Sequence, residues 1–184
     1  MPGDARARMV EGAALLLAKQ GLQATSFSEV LKATGAPRGS IYHHFPEGKD
    51  QLVAAAVDLA ATRMLGALEH QTGGTPAEIT AHVLAAWRFV LERSDFAAGC
   101  AILAVTVAAD STELLDRAAA VFRQWRDRLT ELYVAGGVAK KDAARFAATV
   151  IASSEGAVVM SRAERSLEPF ELVAEELMER AGAL

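Results

Sequence analysis

Apolar side chains recur every three or four residues along most of the chain, a period that predicts helices and not strands. The first such stretch covers residues 4–20, and Gly21 stands where a glycine commonly ends a helix. The side chains at helical spacing along this stretch are Met9, Ala13, Leu16, Leu17 and Gln20. We expect this helix to cover the two helices that follow it.

A second, short helix is predicted between Ser26 and Thr34. Ser26 stands three residues before Glu29, which is the spacing of a capping box, and Gly35 supplies a turn at the other end. The side chains expected to face the core are Phe27, Val30 and Leu31.

A third helix is predicted to begin near Pro37, because proline is tolerated in a first helical turn. Ile41 and Phe45, one turn apart, are its expected buried side chains. The residues left on its other faces are Arg38, Gly39, Ser40, Tyr42 and His43. Two short helices joined by a glycine turn form a helix-turn-helix, so the pattern suggests that this part of the chain reads DNA.

Six further helices are predicted, with a loop at 72–76 between the first two. Their expected ranges are 49–70, 76–93, 100–109, 111–135, 141–162 and 168–181. The helix at 100–109 is apolar on nearly every side, so we expect it to be buried. The inward positions expected in the helix at 111–135 are Leu115, Ala118, Phe122, Trp125, Leu129, Leu132 and Tyr133. The pattern therefore predicts an all-α fold of about nine helices, a three-helix N-terminal head on a larger helical body.

Composition agrees with packed helices, since 52% of the 184 residues are apolar and many of these are alanine. The longest uncharged stretch, 96–109, is too short to span a bilayer, and no secretory signal is visible. The single cysteine, Cys100, cannot form an internal disulfide. We expect a cytoplasmic protein without a membrane partner.

Charge is divided unequally along the chain, whose net charge is −4. Residues 1–49 carry six Lys or Arg against four acids, whereas residues 50–184 carry thirteen against nineteen. A mildly basic head on an acidic body is the asymmetry expected when only the head meets phosphates.

The segment GAPRGSIYHHF, preceded by TSFSEVLKATG and followed by Lys49 and Leu52, resembles the head of the TetR family of one-component repressors. The resemblance is strongest over residues 5–60. Within that family the chain is similar to the antibiotic-responsive branch that contains the lincomycin-resistance repressors, which share its later GC and SRAERSLEP segments. Two features depart from the family pattern: Pro37 replaces the serine that usually caps the third helix, and the link from Phe45 to Lys49 is one residue longer.

The resemblance implies a DNA-binding domain at 1–47 and a ligand-binding and dimerisation domain at 48–184. It places Arg38 and Gly39 on base edges or nearby phosphates, and Ser40, Tyr42 and Lys49 on phosphates. The full set of predicted DNA contacts is Thr25, Ser26, Arg38, Gly39, Ser40, Tyr42, His43 and Lys49. The alternative is that these are ordinary surface polar groups, with Thr25 and Ser26 serving only as caps.

Residues of the predicted ligand-binding domain indicate a function less specifically than those of the head. Trp87, Phe122 and Trp125 are the large side chains we expect to line an effector cavity, although each could equally be plain core. Glu155, in a helix of small and apolar residues, is expected on the solvent side or in a dimer interface, with contact to a cationic ligand as the remaining possibility. Cys100 is interpreted as a small core residue in preference to a redox sensor.

No cofactor, metal site or enzyme activity is predicted. The chain lacks a Gly-rich phosphate loop, a nucleophile elbow and an H-E-x-x-H motif. His43 and His44 are adjacent, so they point to different sides of a helix and make a poor metal pair.

The function implied by the resemblance is that of a ligand-responsive repressor. It would bind a near-palindromic DNA operator as a homodimer formed by its last two helices, and a small apolar or amphipathic effector would release it. The alternative is a transcriptional activator, or a degenerate family member that acts through a protein partner.

Overall fold

The computed structural model describes residues 2–68 and 73–184. Within these ranges the chain forms nine helices and no strand, which confirms the predicted all-α fold. The helices are α1 (Pro2–Ala24), α2 (Phe27–Thr34), α3 (Arg38–His44), α4 (Lys49–Leu68), α5 (Pro76–Arg93), α6 (Ala101–Ala108), α7 (Thr112–Ala135), α8 (Lys140–Glu164) and α9 (Glu168–Gly182). The predicted end of the fourth helix at His70, and Thr72 of the predicted loop, lie outside the described residues.

Local chemistry explains several helix ends. At the start of α5, the Thr75 hydroxyl accepts from the Glu78 N–H at 3.2 Å, and the Glu78 carboxylate accepts from the Thr75 N–H at 2.8 Å. This is a complete capping box, with Pro76 in the first turn. The bond from the Thr75 backbone, together with that from its hydroxyl, lowers the pKa of Glu78.

The helices form two compact units. Unit 1 consists of the described residues up to Thr62 together with Cys100–Val121. In it α1 packs against α2, α3 and α6. Its core includes the fully buried side chains of Met9, Leu17, Val30, Ile41, Phe45 and Leu52. The salt bridge from the Arg117 guanidinium to the Asp58 carboxylate, at 2.7 Å, joins α7 to α4 within this unit.

Unit 2 consists of Arg63–Gly99 and Phe122–Leu184, in which α5, α8 and α9 pack against one another. Arg88 of α5 makes a two-pronged ion pair with Glu171 of α9. The boundary between the units falls within α4 and within α7. The unit that contains the N-terminal helices also includes α6 and the first part of α7. The predicted division into a DNA-binding domain at 1–47 and a ligand-binding domain at 48–184 stays a prediction.

Two expectations about burial are wrong. Leu115 is 38% exposed because Leu114 takes the core position on α7. The short helix α6 is not buried all round: Ala101, Ile102 and Val105 are inside, but Val107 is 76% exposed. An apolar helix of eight residues can thus cover α1 with one side only.

The segment 21–25, which we call the elbow, links α1 to α2. Gly21 has φ 77° and ψ 180°, which interrupts the helical backbone at the residue predicted to end α1. Only glycine adopts this conformation without strain.

Two helices, α4 and α8, are long and apolar enough to cross a membrane by length and composition alone. About two-fifths of each such stretch is buried in the fold, at 39% and 44%. Core helices pass the same test, so this is weak evidence for a membrane span.

Candidate functional site

Hydrogen bonds from polar groups define both ends of α2. The Ser26 hydroxyl caps α2 by accepting from the Glu29 N–H at 3.2 Å, as the sequence predicts. At the other end, Gly35 lies in the left-handed region with φ 65° and donates its N–H to the Leu31 carbonyl at 2.9 Å. The Thr34 hydroxyl donates to the Val30 carbonyl at 2.7 Å. The bonds of Gly35 and Thr34 end α2, and α3 can therefore begin only after the turn that follows.

The start of α3 has no side-chain cap. Pro37 is the residue before the first helical turn and provides no side-chain hydrogen bond. The Ser40 hydroxyl instead donates back to the Pro37 carbonyl at 2.6 Å. The predicted burial of Ile41 and Phe45 is confirmed, at 0% and 1% exposure, so α3 is anchored to the core along one side.

The opposite side of α3 is open. Arg38, Gly39, Tyr42 and His43 are exposed, and their spacing of three and four residues places them on one face. Tyr42 is 64% exposed, and its ring packs edge-on against Phe27 of α2 with ring centroids 5.6 Å apart. We call these four residues the α3 face.

Two of the predicted DNA contacts lie elsewhere. Thr25 is 1% exposed, and its hydroxyl donates to the Gly21 carbonyl at 2.8 Å. Lys49 is half-buried, and its Nζ donates to the Leu22 carbonyl at 2.7 Å. Both side chains therefore stabilise the elbow in the DNA-free head.

A further cation lies beside the end of α3. Arg6, on α1, is exposed and holds its guanidinium 5.4 Å from the centroid of the Phe45 ring. From the sequence alone, Arg6 is visible only as part of the positive charge of the head. No periodicity relates residue 6 to residue 45, so only the folded chain reveals the contact.

Unit 2 contains a cavity of about 300 Å³, counting its opening to solvent. The side chains that line it are Met64, Leu68, Val83, Trp87, Trp125, Leu129, Ile151 and Glu155. Trp87 and Trp125 were predicted to line such a cavity. Phe122 was also predicted but is not among the lining residues, and its half-buried ring packs edge-on against Trp125 with centroids 5.7 Å apart.

The cavity contains polar groups that were hard to place from sequence. Glu155 is only 7% exposed and lines the cavity, so the solvent side is wrong among the three positions that were predicted for it. The Nε1–H of Trp125 is buried and has no hydrogen-bond partner among the described residues. A buried donor without an acceptor carries a desolvation cost.

Outside these two sites, the part of the chain that the structure describes offers few groups that could bind a metal ion or react. No group of three His, Cys, Asp or Glu side chains there could hold a metal ion. Cys100 is 8% exposed and its Sγ accepts from the Leu103 N–H at 3.3 Å, so the thiol caps α6. Buried Tyr133 bonds to the Thr80 hydroxyl at 2.9 Å, and burial raises the pKa of Tyr133 to about 12.

Comparison with known families matches both parts of the chain. Residues 9–56 match the family described as bacterial regulatory proteins, tetR family. Residues 76–176 match the family described as transcriptional regulator LmrA/YxaF-like, C-terminal domain.

Similar proteins extend over nearly the whole length. An uncharacterised HTH-type transcriptional regulator of Mycobacterium tuberculosis is 38% identical over 179 residues, which cover 94% of this chain and 91% of the relative. The uncharacterised regulator YxaF of Bacillus subtilis is 26% identical and covers 95% of this chain and 94% of its own. The regulator LmrA of the same organism is 43% identical over 56 residues, which is 30% of each chain.

Solved structures share the fold. A TetR transcriptional regulator from Chloroflexus aurantiacus is 32% identical with a TM-score of 0.81, covering 97% of this chain and 94% of its own. A regulatory protein TetR from Rhodobacter sphaeroides has a TM-score of 0.86 at 19% identity, covering 95% of this chain and 97% of its own.

Proposed function

The chain belongs to the TetR family of transcriptional regulators, and we propose that it is a repressor that reads operator DNA with the α3 face. Members of this family are regulators and not enzymes. The observation that carries the proposal is the arrangement of α3, which buries Ile41 and Phe45 and leaves Arg38, Gly39, Tyr42 and His43 exposed.

The roles on the α3 face follow from chemistry. Arg38 suits a bidentate contact with the O6 and N7 atoms of guanine in the major groove. Gly39 has open space around it, so its backbone can approach a base edge. Tyr42 and His43, with Ser26 and Ser40, are proposed to contact phosphates and sugars, which set register without reading sequence.

A homodimer would place two copies of α3 on successive turns of DNA. In α8, small residues recur every four positions on an outward stripe formed by Ala144, Ala148, Ala152 and Gly156, followed by the exposed Met160. Leu172 of α9 is 63% exposed. Small side chains let helices approach closely, which supports pairing through α8 and α9. Such a dimer would read half-sites roughly 34–36 Å apart in a near-palindromic operator.

The cavity of unit 2 is the proposed effector site. Its lining is largely apolar, as is typical of sites for small molecules. Glu155 adds a carboxyl side chain to this lining, which favours a small amphipathic effector over a purely apolar one. The effector and DNA would each favour a different arrangement of the chain, so binding of one would weaken binding of the other.

Transcription in vitro tests the proposal. The protein would act in the cytoplasm, where bacterial DNA lies. A DNA duplex selected by the protein from a random-sequence pool is placed over a promoter, and transcript is measured as protein is added. Repression requires transcript to fall. A rise would support an activator, and a protein that selects no duplex at any salt concentration would support action through a protein partner.

A further inference from the structure

Lys49 is the first residue of α4 and makes a long-range bond inside unit 1. Its ammonium group donates to the Leu22 carbonyl at 2.7 Å, across 27 positions of the chain. The side chain is half-buried, so its stem packs within the head and its charge is directed at the elbow.

The elbow needs such a donor. Gly21 turns the backbone out of the helix at φ 77°, which leaves the last carbonyls of α1 without the N–H groups of a following helical turn. The Thr25 hydroxyl donates to the Gly21 carbonyl, and the Thr25 N–H reaches the Leu22 carbonyl at 3.2 Å. The ammonium of Lys49 is the second donor to Leu22, and a cation is favoured at the carboxyl end of a helix.

The link before α4 directs Lys49 to this position. Gly48 has φ 95° and donates its N–H to the Phe45 carbonyl at 3.1 Å, so the residues after α3 form a tight turn. Farther along α4, Asp58 is tied to Arg117 of α7 at 2.7 Å, so the first half of α4 is anchored at two points.

We propose that Lys49 is a positioning residue, which holds the start of α4 against the elbow and thereby sets the presentation of α2 and α3, and that it does not neutralise a phosphate. This inference rests on the proposed function, since its consequence is measured on DNA. An ammonium has three N–H donors, and the one that Lys49 commits to Leu22 keeps its charge at the elbow. The residues of the α3 face differ, because they are exposed.

The test replaces the ammonium while keeping the length of the side chain. Lys49→Met and the wild-type protein are compared by thermal unfolding without DNA, and by binding to a selected duplex and to a random duplex of equal length over a range of salt concentrations. Lys141→Met, which removes an exposed lysine of α8 in unit 2, is the matched control for charge.

A positioning role predicts a selective effect. Affinity of Lys49→Met for the selected duplex should fall about ten-fold, because the variant head populates the binding arrangement less and must be ordered on binding. Affinity for the random duplex and the slope of log affinity against log salt should stay unchanged. The midpoint of thermal unfolding should fall by roughly 3–8 °C.

Two results would overturn the inference. A slope flattened by about one unit, with both duplexes weakened alike, would assign Lys49 to a phosphate. A lower unfolding midpoint with both affinities unchanged would show that Lys49 stabilises the fold without affecting DNA binding. A wild-type protein that selects no duplex would instead contradict the proposed function.

A second measurement needs no variant and covers the case in which Lys49→Met does not fold. Acetylation of the wild-type protein is followed by mass spectrometry, with the exposed Lys32 as internal reference. Lys49 should react slowly without DNA and equally slowly with it. A Lys49 that reacts as fast as Lys32 in the free protein and becomes protected on DNA contradicts a positioning role.

Discussion

At the scale of single residues, one polar pair in unit 2 has an unambiguous direction. The Thr80 hydroxyl donates to the Pro76 carbonyl at 2.7 Å, so its only proton is used and it accepts from the Tyr133 hydroxyl. Tyr133 is fully buried, and this one bond satisfies its donor. Burial raises the pKa of Tyr133 to about 12, against the lowering effect of the Thr80 bond.

This pair predicts how stability responds to alkaline pH. Because the folded pKa lies above the unfolded value of 10.0, the contribution of Tyr133 is fully present below pH 10 and is lost as pH rises towards 12. The loss is about 2–3 kcal/mol. Urea unfolding of wild type and Tyr133→Phe at pH 8, 10 and 11.5 should show a reversal, with Tyr133→Phe about 1 kcal/mol less stable at pH 8 and about 1 kcal/mol more stable at pH 11.5. A gap that stays constant with pH would show that Tyr133 titrates normally.

Arg38 carries the base-specific prediction. Arg38→Ala should cost about 1–3 kcal/mol on a selected duplex and relax the preference at one guanine position of each half-site. Repeating the selection with the variant measures the preference directly, and Lys141→Ala in unit 2 is the charge control. Equal weakening on selected and random duplexes would assign Arg38 to the DNA backbone.

At the scale of elements, α1 and α2 meet at a glycine. A Cβ added to Gly12 would lie 2.4 Å from Cγ2 of Thr34, so the two helices are in contact where Gly12 has no side chain. The hydroxyl of the same Thr34 is bonded to the Val30 carbonyl, which holds the methyl group in place.

This contact predicts a rescue by a second substitution. Gly12→Ala should destabilise the protein by about 1–3 kcal/mol through overpacking. Thr34→Ser removes Cγ2 but keeps the hydroxyl, so the double variant should regain most of the loss. Chemical unfolding of the four proteins completes a double-mutant cycle. If the two substitutions have additive effects on the free energy of unfolding, α1 and α2 move apart at this point at little cost.

Sequence patterns located these elements but not their long-range contacts. Caps and glycines such as Ser26, Gly21 and Gly35 act within a few residues, so the ends of α1 and α2 were predictable. Leu114 and Leu115 are both leucine, and only packing decides which one is inside. The partners of Lys49 and Arg6 are tens of residues away, and no local period encodes them. Glu155 was misplaced because a charged side chain usually signals solvent.

At the scale of the whole molecule, the proposed dimer depends on the outward stripe of α8. Ala152→Arg should place a charged, bulky group in that interface and shift the protein towards monomer by ten-fold or more in dissociation constant, about 1.4 kcal/mol or more. Sedimentation velocity over a concentration series measures the shift. Ala120→Arg, at an exposed position of α7, is the matched control. A dimer unaffected by Ala152→Arg would place the interface elsewhere.

The central claim is that two copies of the α3 face read DNA together. Its most direct measurement is selection of duplexes from a random-sequence pool by the full-length protein, followed by sequencing. The account predicts enriched sites with two inverted half-sites whose centres lie roughly one helical turn, about 10–10.5 base pairs, or a multiple of it apart. Enrichment of no sequence, or of a single half-site without an inverted partner, would contradict it.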